Sequence, residues 1–395
     1  MKRKKLLSLG TGICAIVIAG ALLLVGCAPE AAPAEPVKIG AILPYTGPCA
    51  ELGPKFQAGI ELALEEANYE VAGRPIQLII EDSATDVTTA VEKFKKLVDR
   101  DKVHTCIGPL MGDSHLAMAP YAAEKGVLVT SLINGMYETV PYRTYLIYPT
   151  TCMAQTYPFG EYCHDVLGYN TMITIGANYA GKIAYANGAA KGFEDAGGTV
   201  VDQLWPDVGC PDYSPFIAAF GEADVVLYAL EGPGPVSRFI YQYREAGKTM
   251  PLVTITQDGD YIPEALAELG DIALGIPGES SYPWQLDTAI NRAFVEAMKA
   301  KTGVVPSCSE QNAYTMAKVI LAGLEATGGG DSFDKLWPAV LALRLDTPQG
   351  PLFFTPEGVA VTDAYVTQAE YVEGEYRLSA PLAVTREVRD WRLAK

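Results

Sequence analysis

The chain is short of the residues on which acid–base and metal chemistry usually rest. Only three histidines, His104, His115 and His164, occur in 395 residues, so a histidine-based triad has few candidates. His104 opens a strand, where a structural role is favoured. No GxSxG, HExxH, GxxxxGK[ST] or GxGxxG motif is present, which removes the sequence signs of a nucleophile elbow, a zinc peptidase, a P-loop and a dinucleotide site. No CxxC pair or Cys/His ligand spacing occurs, so no metal site is expected, and no cofactor. Basic stripes are missing too. With Lys+Arg 30 against Asp+Glu 47 and a net charge of −17, nucleic acid is not an expected partner.

Hydrophobic runs are short except for one. Lys2-Arg3-Lys4-Lys5 precede an apolar stretch over residues 6–25, which closes on Leu24-Val25-Gly26-Cys27. This resembles a bacterial lipoprotein signal: small Gly26 lets a signal peptidase reach the bond, and the Cys27 thiol, once acylated, carries the anchoring chains. A Pro/Ala-rich tether follows from Ala28 to Pro36. The competing reading is an uncleaved transmembrane anchor, since about twenty apolar residues span a bilayer. Either way the body lies outside the cytoplasm. Loss of residues 1–26 removes four cations and no acid, leaving a mature charge near −21. Six cysteines then remain, Cys49, Cys106, Cys152, Cys163, Cys210 and Cys308; export permits disulfides, with fifteen connectivities open.

What is present is a βα rhythm long enough for two lobes. The organising stretch is TCIGPLMGDSHLAMAPYAAEKGVLVTSLINGMY, residues 105–137. Residues 105–107 and 127–130 are short β-branched strand runs, stopped by Gly108-Pro109 and Asn134-Gly135. The segment between reads as a helix from about His115 to Lys125, with Pro120 inside it and Gly126 as its stop. Ligands of open parallel sheets sit beyond the carboxyl ends of the strands, so the loops 110–114 and 131–135 form one expected cleft. Before this stretch, residues 37–43 and 76–82 read as strands and 53–68 and 88–99 as helices. After residue 149 the rhythm restarts, with strands at 172–177, 199–204, 225–230 and 252–256. Helices are expected at 155–167, 183–196, 236–246, 287–301, 310–327 and 333–343, and late strands at 352–355, 364–372 and 376–378.

The segments VKIGAILPYTGPCAELG, AGRPIQLIIED, HTCIGPL, APYAAEKGVLVTS, KGFEDAGGTVV, PDYSPFIAAF, FIYQYREAGK and TPQGPLFFTPEG, in this order, resemble the type I substrate-binding proteins of ABC importers, in their branched-chain-amino-acid class. The resemblance implies an α/β fold of two Rossmann-like lobes, each a parallel sheet flanked by helices, joined by three crossings near residues 148–155, 278–282 and 350–356. Residues 1–26 would be the signal and 27–36 the tether. Lobe 1 would comprise 37–150 plus 282–352, and lobe 2 151–281 plus 353–395. It also implies a monomer, lipid-anchored on the extracytoplasmic side, that hands a small polar molecule to ABC permease subunits. A sensor that presents its liganded form to a chemoreceptor or kinase is the alternative.

The family's ligand-binding pattern falls here on Gly112-Asp113-Ser114 and Asn134-Gly135 of the first lobe and on Tyr179 and Asp258 of the second; Met111 and Leu132 in the same loops are further candidate contacts, and Tyr45 is a cleft wall or a plain surface aromatic. Asp113 stands where a hydroxyl would meet a carboxylate, unless it caps the helix and Ser114 faces the ligand. Asp258 is the ammonium-binding acid or a turn-forming Asp-Gly. Tyr282 and Trp284 line the hinge side of the cleft or simply pack. Two acids in one cleft suit an amide or amine better than a free carboxylate. An Asp113/Asp258 pair could serve as acid and base, but nothing positions a scissile bond, and the chain is not read as an enzyme. Cys27→Ser is expected to abolish membrane association while leaving the body folded. Fractionation checks this, and a variant that still pellets with membranes and retains residues 1–26 favours the uncleaved anchor.

Overall fold

The computed structural model describes residues 34–256, 261 and 263–393. The chain divides into Met1–Glu35 and Pro36–Lys395; the architecture below is that of the second unit. The signal, Cys27 and Asp258 lie outside the described residues.

The first sheet is built by β1 (Val37–Leu43), β2 (Glu70–Val71), β3 (Arg74–Asp82), β4 (Thr105–Ile107), β5 (Leu128–Thr130) and β6 (Tyr145–Leu146), in the order β2-β3-β1-β4-β5-β6. All pairs but the β2–β3 hairpin are parallel. Strand β1, VKIGAIL, is buried at every position but Lys38, as a strand covered by helices on both faces must be. The covering helices are α1 (Leu52–Glu66), α2 (Val87–Lys96) and α3 (Gly112–Lys125), joined later by α9 (Ala289–Thr302), α10 (Cys308–Ala326) and α11 (Phe333–Leu341). Helix α1 turns Phe56, Ile60, Ala63 and Leu64 into the core, the 3.6-residue spacing of a buried stripe.

The second sheet takes β7 (Thr171–Gly176), β8 (Thr199–Leu204), β9 (Val225–Ala229), β10 (Leu252–Thr254), β11 (Pro277–Ser280), β12 (Arg344–Thr347), β13 (Gly350–Phe354) and β14 (Ala360–Val372), in the order β12-β13-β14-β11-β10-β9-β7-β8. Strands β15 (Glu375–Leu378) and β16 (Ala383–Val388) pair with β14. Its helices are α4 (Cys152–Asp165), α5 (Ala180–Ala196), α6 (Ser214–Ala219), α7 (Pro233–Glu245) and α8 (Pro263–Leu269). Strands β7 to β11 are parallel, as expected, but every pairing of β12 to β16 is antiparallel. Edge strands β12 and β16 escape a hydrophobic-pattern reading because they expose most side chains: β16 fully buries only Val388. Helix α3 begins at Gly112 rather than near His115, so Gly-Asp-Ser is already its first turn.

The long strand β14 ties the two halves together. Its start, Ala360, belongs to the core of the first sheet, and Ala369 belongs to that of the second. An isolated parallel bridge joins Ile147, just after β6, to Val359, just before β14. Helices α4 and α5 pack with almost no space between backbones. A Cβ on Gly160 would fall 1.9 Å from the Ala189 carbonyl oxygen, and one on Gly192 would fall 2.0 Å from that of Tyr157. That contact fixes α5, which carries the residues discussed below. All six cysteines from Cys49 to Cys308 are buried.

His115 is enclosed in the first core, edge-on to Tyr145 with ring centroids 5.5 Å apart. Neither ring nitrogen meets a hydrogen-bond partner among the described residues. Burial pushes its pKa down to about 4, outweighing the opposite pull of the Ile133 and Pro109 backbone. The folded state therefore holds it neutral where the unfolded chain, with its value near 6.5, takes up a proton. Stability conferred by the neutral ring is complete above pH 6.5 and is lost as pH falls from there towards 4, amounting to about 3 kcal/mol. Urea midpoints of wild type and His115→Phe should accordingly converge or cross between pH 7 and 4.5, the wild type falling more steeply.

Candidate functional site

The cavity that joins the two halves opens where the strand ends face each other. Its volume is about 20 Å3, room for a single water, and it is lined by Leu52, Ile133, Ser309 and Asn312 from the first half, and by Lys182, Tyr185, Glu231 and Thr256 from the second. Gln155, Pro149 and Ser281, near two of the expected crossings, complete its back wall with Cys308.

Its strongest chemical feature is a buried ammonium. Lys182 stands in the first turn of α5, with its side chain 3% exposed, and its Nζ donates to Thr256 Oγ1 at 2.6 Å. Glu231, 9% exposed, places Oε2 at 3.6 Å from that Nζ and accepts from the Tyr179 hydroxyl. Burial, with the Glu231 carboxylate next to it, holds the Tyr179 phenol well above its usual range, so it acts as a donor. A charge this deep needs compensation, and Lys182 and Glu231 supply it to each other.

Thr256, just past β10, adopts φ 55, an unfavourable conformation for a β-branched residue. Its backbone N–H donates to Glu279 Oε2 at 3.0 Å, and Glu279, 1% exposed, also accepts from Gln155 Nε2 at 2.9 Å. This chain of bonds, from α4 through β11, aims the Thr256 hydroxyl at Lys182. Across the cavity, Asn134 is likewise at positive φ, 57. Strain of this kind gathers at ligand sites. On α10, Asn312 spends its amide N–H on the Leu132 carbonyl at 2.8 Å, leaving its Oδ1 as an acceptor; that oxygen and Ser309 Oγ have no partner among the described residues. Two buried polar atoms left open at a cavity wall are most simply completed by a ligand.

The residues named from sequence fall around this cavity in different ways. Tyr179 touches the site through Glu231, and Leu132 and Asn134 border it through Asn312 and Tyr185: the Asn134 N–H lies 3.4 Å from the Tyr185 hydroxyl. Gly135 receives the Cys152 N–H at 2.9 Å on its carbonyl. Tyr45 donates its backbone N–H to Asp82 at 2.9 Å, and its hydroxyl meets Gln57; its phenol is pushed up to about 12 by burial, with Glu61 and Asp82 adding to it. Met111 and Ser114 are buried at the start of α3. Asp113 is not aimed at the cavity: its Oδ2 accepts from the Ala180 N–H at 3.1 Å. The picture of two acids and no cation therefore changes, because Asp113 is engaged elsewhere and Lys182 is present.

Lys182, Glu231, Thr256, Ser309 and Asn312 were not singled out in the sequence. Two of them had a signal. Glu231 lies two residues past the end of β9, where the strand-end rule points, and Lys182 is a lone cation in phase with Tyr185, Ala186, Ala189 and Phe193, the buried stripe of α5. The orphaned oxygens on α10 have no local signature.

A comparison of protein families matches residues 36–375 to the family described as periplasmic binding protein. The chain belongs to the periplasmic binding protein family. Among curated relatives it is similar to Leu/Ile/Val-binding protein homolog 6 of Brucella melitensis, 27% identical with 87% of this chain and 89% of the relative covered. It is also similar to a leucine-, isoleucine-, valine-, threonine- and alanine-binding protein of Pseudomonas aeruginosa, 26% identical over 86% and 91%. Of solved structures, an ABC transporter substrate-binding protein from Sphaerobacter thermophilus superposes with TM-score 0.82 at 27% identity, covering 90% of this chain and 99% of that one. A Rhodopseudomonas palustris solute-binding protein in complex with 3,4-dihydroxybenzoic acid gives 0.84 at 23%, covering 91% and 99%, and speaks for the fold alone. The periplasmic-binding-protein fold is thus of type I, with the cavity in the cleft between its two sheets.

Proposed function

We propose that the protein is the extracytoplasmic solute-binding component of an ABC importer, tethered through Cys27, acting as a monomer and delivering a small organic solute to permease subunits. In this reading the lobes 37–150 plus 282–352 and 151–281 plus 353–395 close about the three crossings. The observation that carries it is the enclosed cavity between the two halves, with a buried ammonium on one wall and unpaired acceptors on the other. Hinge closure around a ligand contacted by both lobes follows from that placement. The relatives' names, amino-acid-binding in two cases, support the same class.

The solute carries a carboxylate together with at least one N–H or O–H donor. Its carboxylate finds Lys182 and Thr256, and its donors find Glu231, Asn312 Oδ1 and Ser309 Oγ; Leu52, Ile133 and Tyr185 accept an apolar portion. Amino acids and hydroxylated aromatic acids both fit that description, and an amine or amide without a carboxylate leaves Lys182 unused.

A thermal-shift panel of L-amino acids, their amides, and benzoic acids with and without hydroxyls tests this, since a ligand at a hundred times its Kd adds about 2.7 kcal/mol of stability. Carboxylate-bearing compounds should raise Tm and their amides, which lack the carboxylate, should not. By calorimetry, Lys182→Met should weaken the best binder by about 30-fold or more, the cost of removing one partner of a buried charged contact. Tight amide binding with no carboxylate binding, or an unchanged Kd in Lys182→Met, contradicts the assignment.

A further inference from the structure

We infer that Asp113 is a closure latch: a residue that sets ligand retention by holding the two halves together, without touching the ligand. The inference rests on the closing-cleft reading and names the contact that secures it. Asp113 lies in the first turn of α3, on the first half, and Ala180 opens the 17-residue α5 on the second. The bond between Asp113 Oδ2 and the Ala180 N–H, at 3.1 Å, runs from one half to the other.

Three features show that this contact is built rather than incidental. The first N–H groups of a helix have no partner within it, and Tyr179, at the cap position of α5, makes no side-chain cap bond. Asp113 therefore supplies from the opposite half the acceptor that a local Ser or Asp ordinarily gives, and its charge complements the positive end of the helix. The helices also meet at two glycines: a Cβ on Gly112 would fall 3.0 Å from the Gly181 N, and one on Gly181 would fall 2.5 Å from Asn134 Oδ1. A Cβ at Gly181 would press on Asn134 of the opposite half, while one at Gly112 would meet Met136 Sδ of its own half, 2.8 Å away, as well as Gly181. Finally, the latch adjoins the cavity at its moving edge: Lys182 is two residues after Ala180, so drawing α5 in by its N-terminus carries the ammonium to the wall opposite Asn312.

The contact exists only when the halves are together, so it favours the closed form for every ligand alike. Apparent affinity then scales with the fraction of closed-competent protein. A direct ligand contact would instead discriminate between compounds.

Hydrogen exchange on the full-length folded body, saturated with the compound of the thermal-shift panel that raises Tm most, tests the latch in the closed form. In wild type with that compound bound the Ala180 amide should be protected. Asp113→Ala should speed its exchange by about tenfold or more, as expected for loss of a charge-assisted bond. Asp113→Asn, which keeps an acceptor, should restore most of the protection. Gly181→Ala is the independent arm: it retains Asp113 and strengthens α5 as a helix, yet it should also expose the Ala180 amide by wedging against Asn134. An Ala180 amide that exchanges freely in compound-saturated wild type, or that stays protected there in both Asp113→Ala and Gly181→Ala, overturns the latch. Either result leaves the closing cleft itself to be judged by its response to ligand.

Discussion

The arrangement depends on a lysine ammonium taken out of water. Lys182 is 2% exposed, and an isolated charge at that depth costs far more than the fold's marginal net stability can absorb. Much of the neighbouring structure is the answer to that cost. Glu231, two residues past β9, faces it and accepts from the Tyr179 hydroxyl, Thr256 Oγ1 accepts from the ammonium, and Glu279 with Gln155 holds Thr256 in a strained backbone that points the hydroxyl inward. The pair Lys182–Glu231 is not a tight one at 3.6 Å. A loose pair of opposite charges leaves room for a polar solute to insert and satisfy both ends.

The close packing of α4 on α5 serves the same end. With glycine at 160 and 192 the two helices touch backbone to backbone, and a helix held so firmly keeps its first turn, and Lys182, in register with the strand ends. On the other side, β14 runs from the core of one sheet into that of the other. A continuous strand is a stiff connection across which rotation is limited to a few backbone angles, as hinge closure needs.

Most of the βα rhythm was legible because each parallel strand is a short apolar run and each crossover helix repeats its stripe. The boundaries that moved have local causes. Gly112-Asp113-Ser114 reads as loop chemistry, but the Gly-Asp-Ser turn is helical, and Pro233 starts α7 because proline suits a first helical turn. The antiparallel β12 and β16 are stabilised by ladder bonds rather than burial, so no hydrophobic pattern marks them. The site was harder to read. Strand-end reasoning pointed to the loops after β4 and β5, and Tyr179, Leu132 and Asn134 lie beside the cavity described above. It cast Asp113 as a ligand contact, whereas the carboxylate spans the two halves, a partner 67 residues away that no local pattern encodes. Lys182 was readable as a charge in phase with a buried stripe. The open acceptors on α10 depend on how that helix meets the cavity, and only the assembled fold places them.

The central claim is that the two halves close on a solute. Small-angle scattering of the mature protein, with and without the tightest-binding compound at saturation, tests this most directly. The account predicts a smaller radius of gyration with the compound bound; an unchanged radius at full occupancy would contradict it.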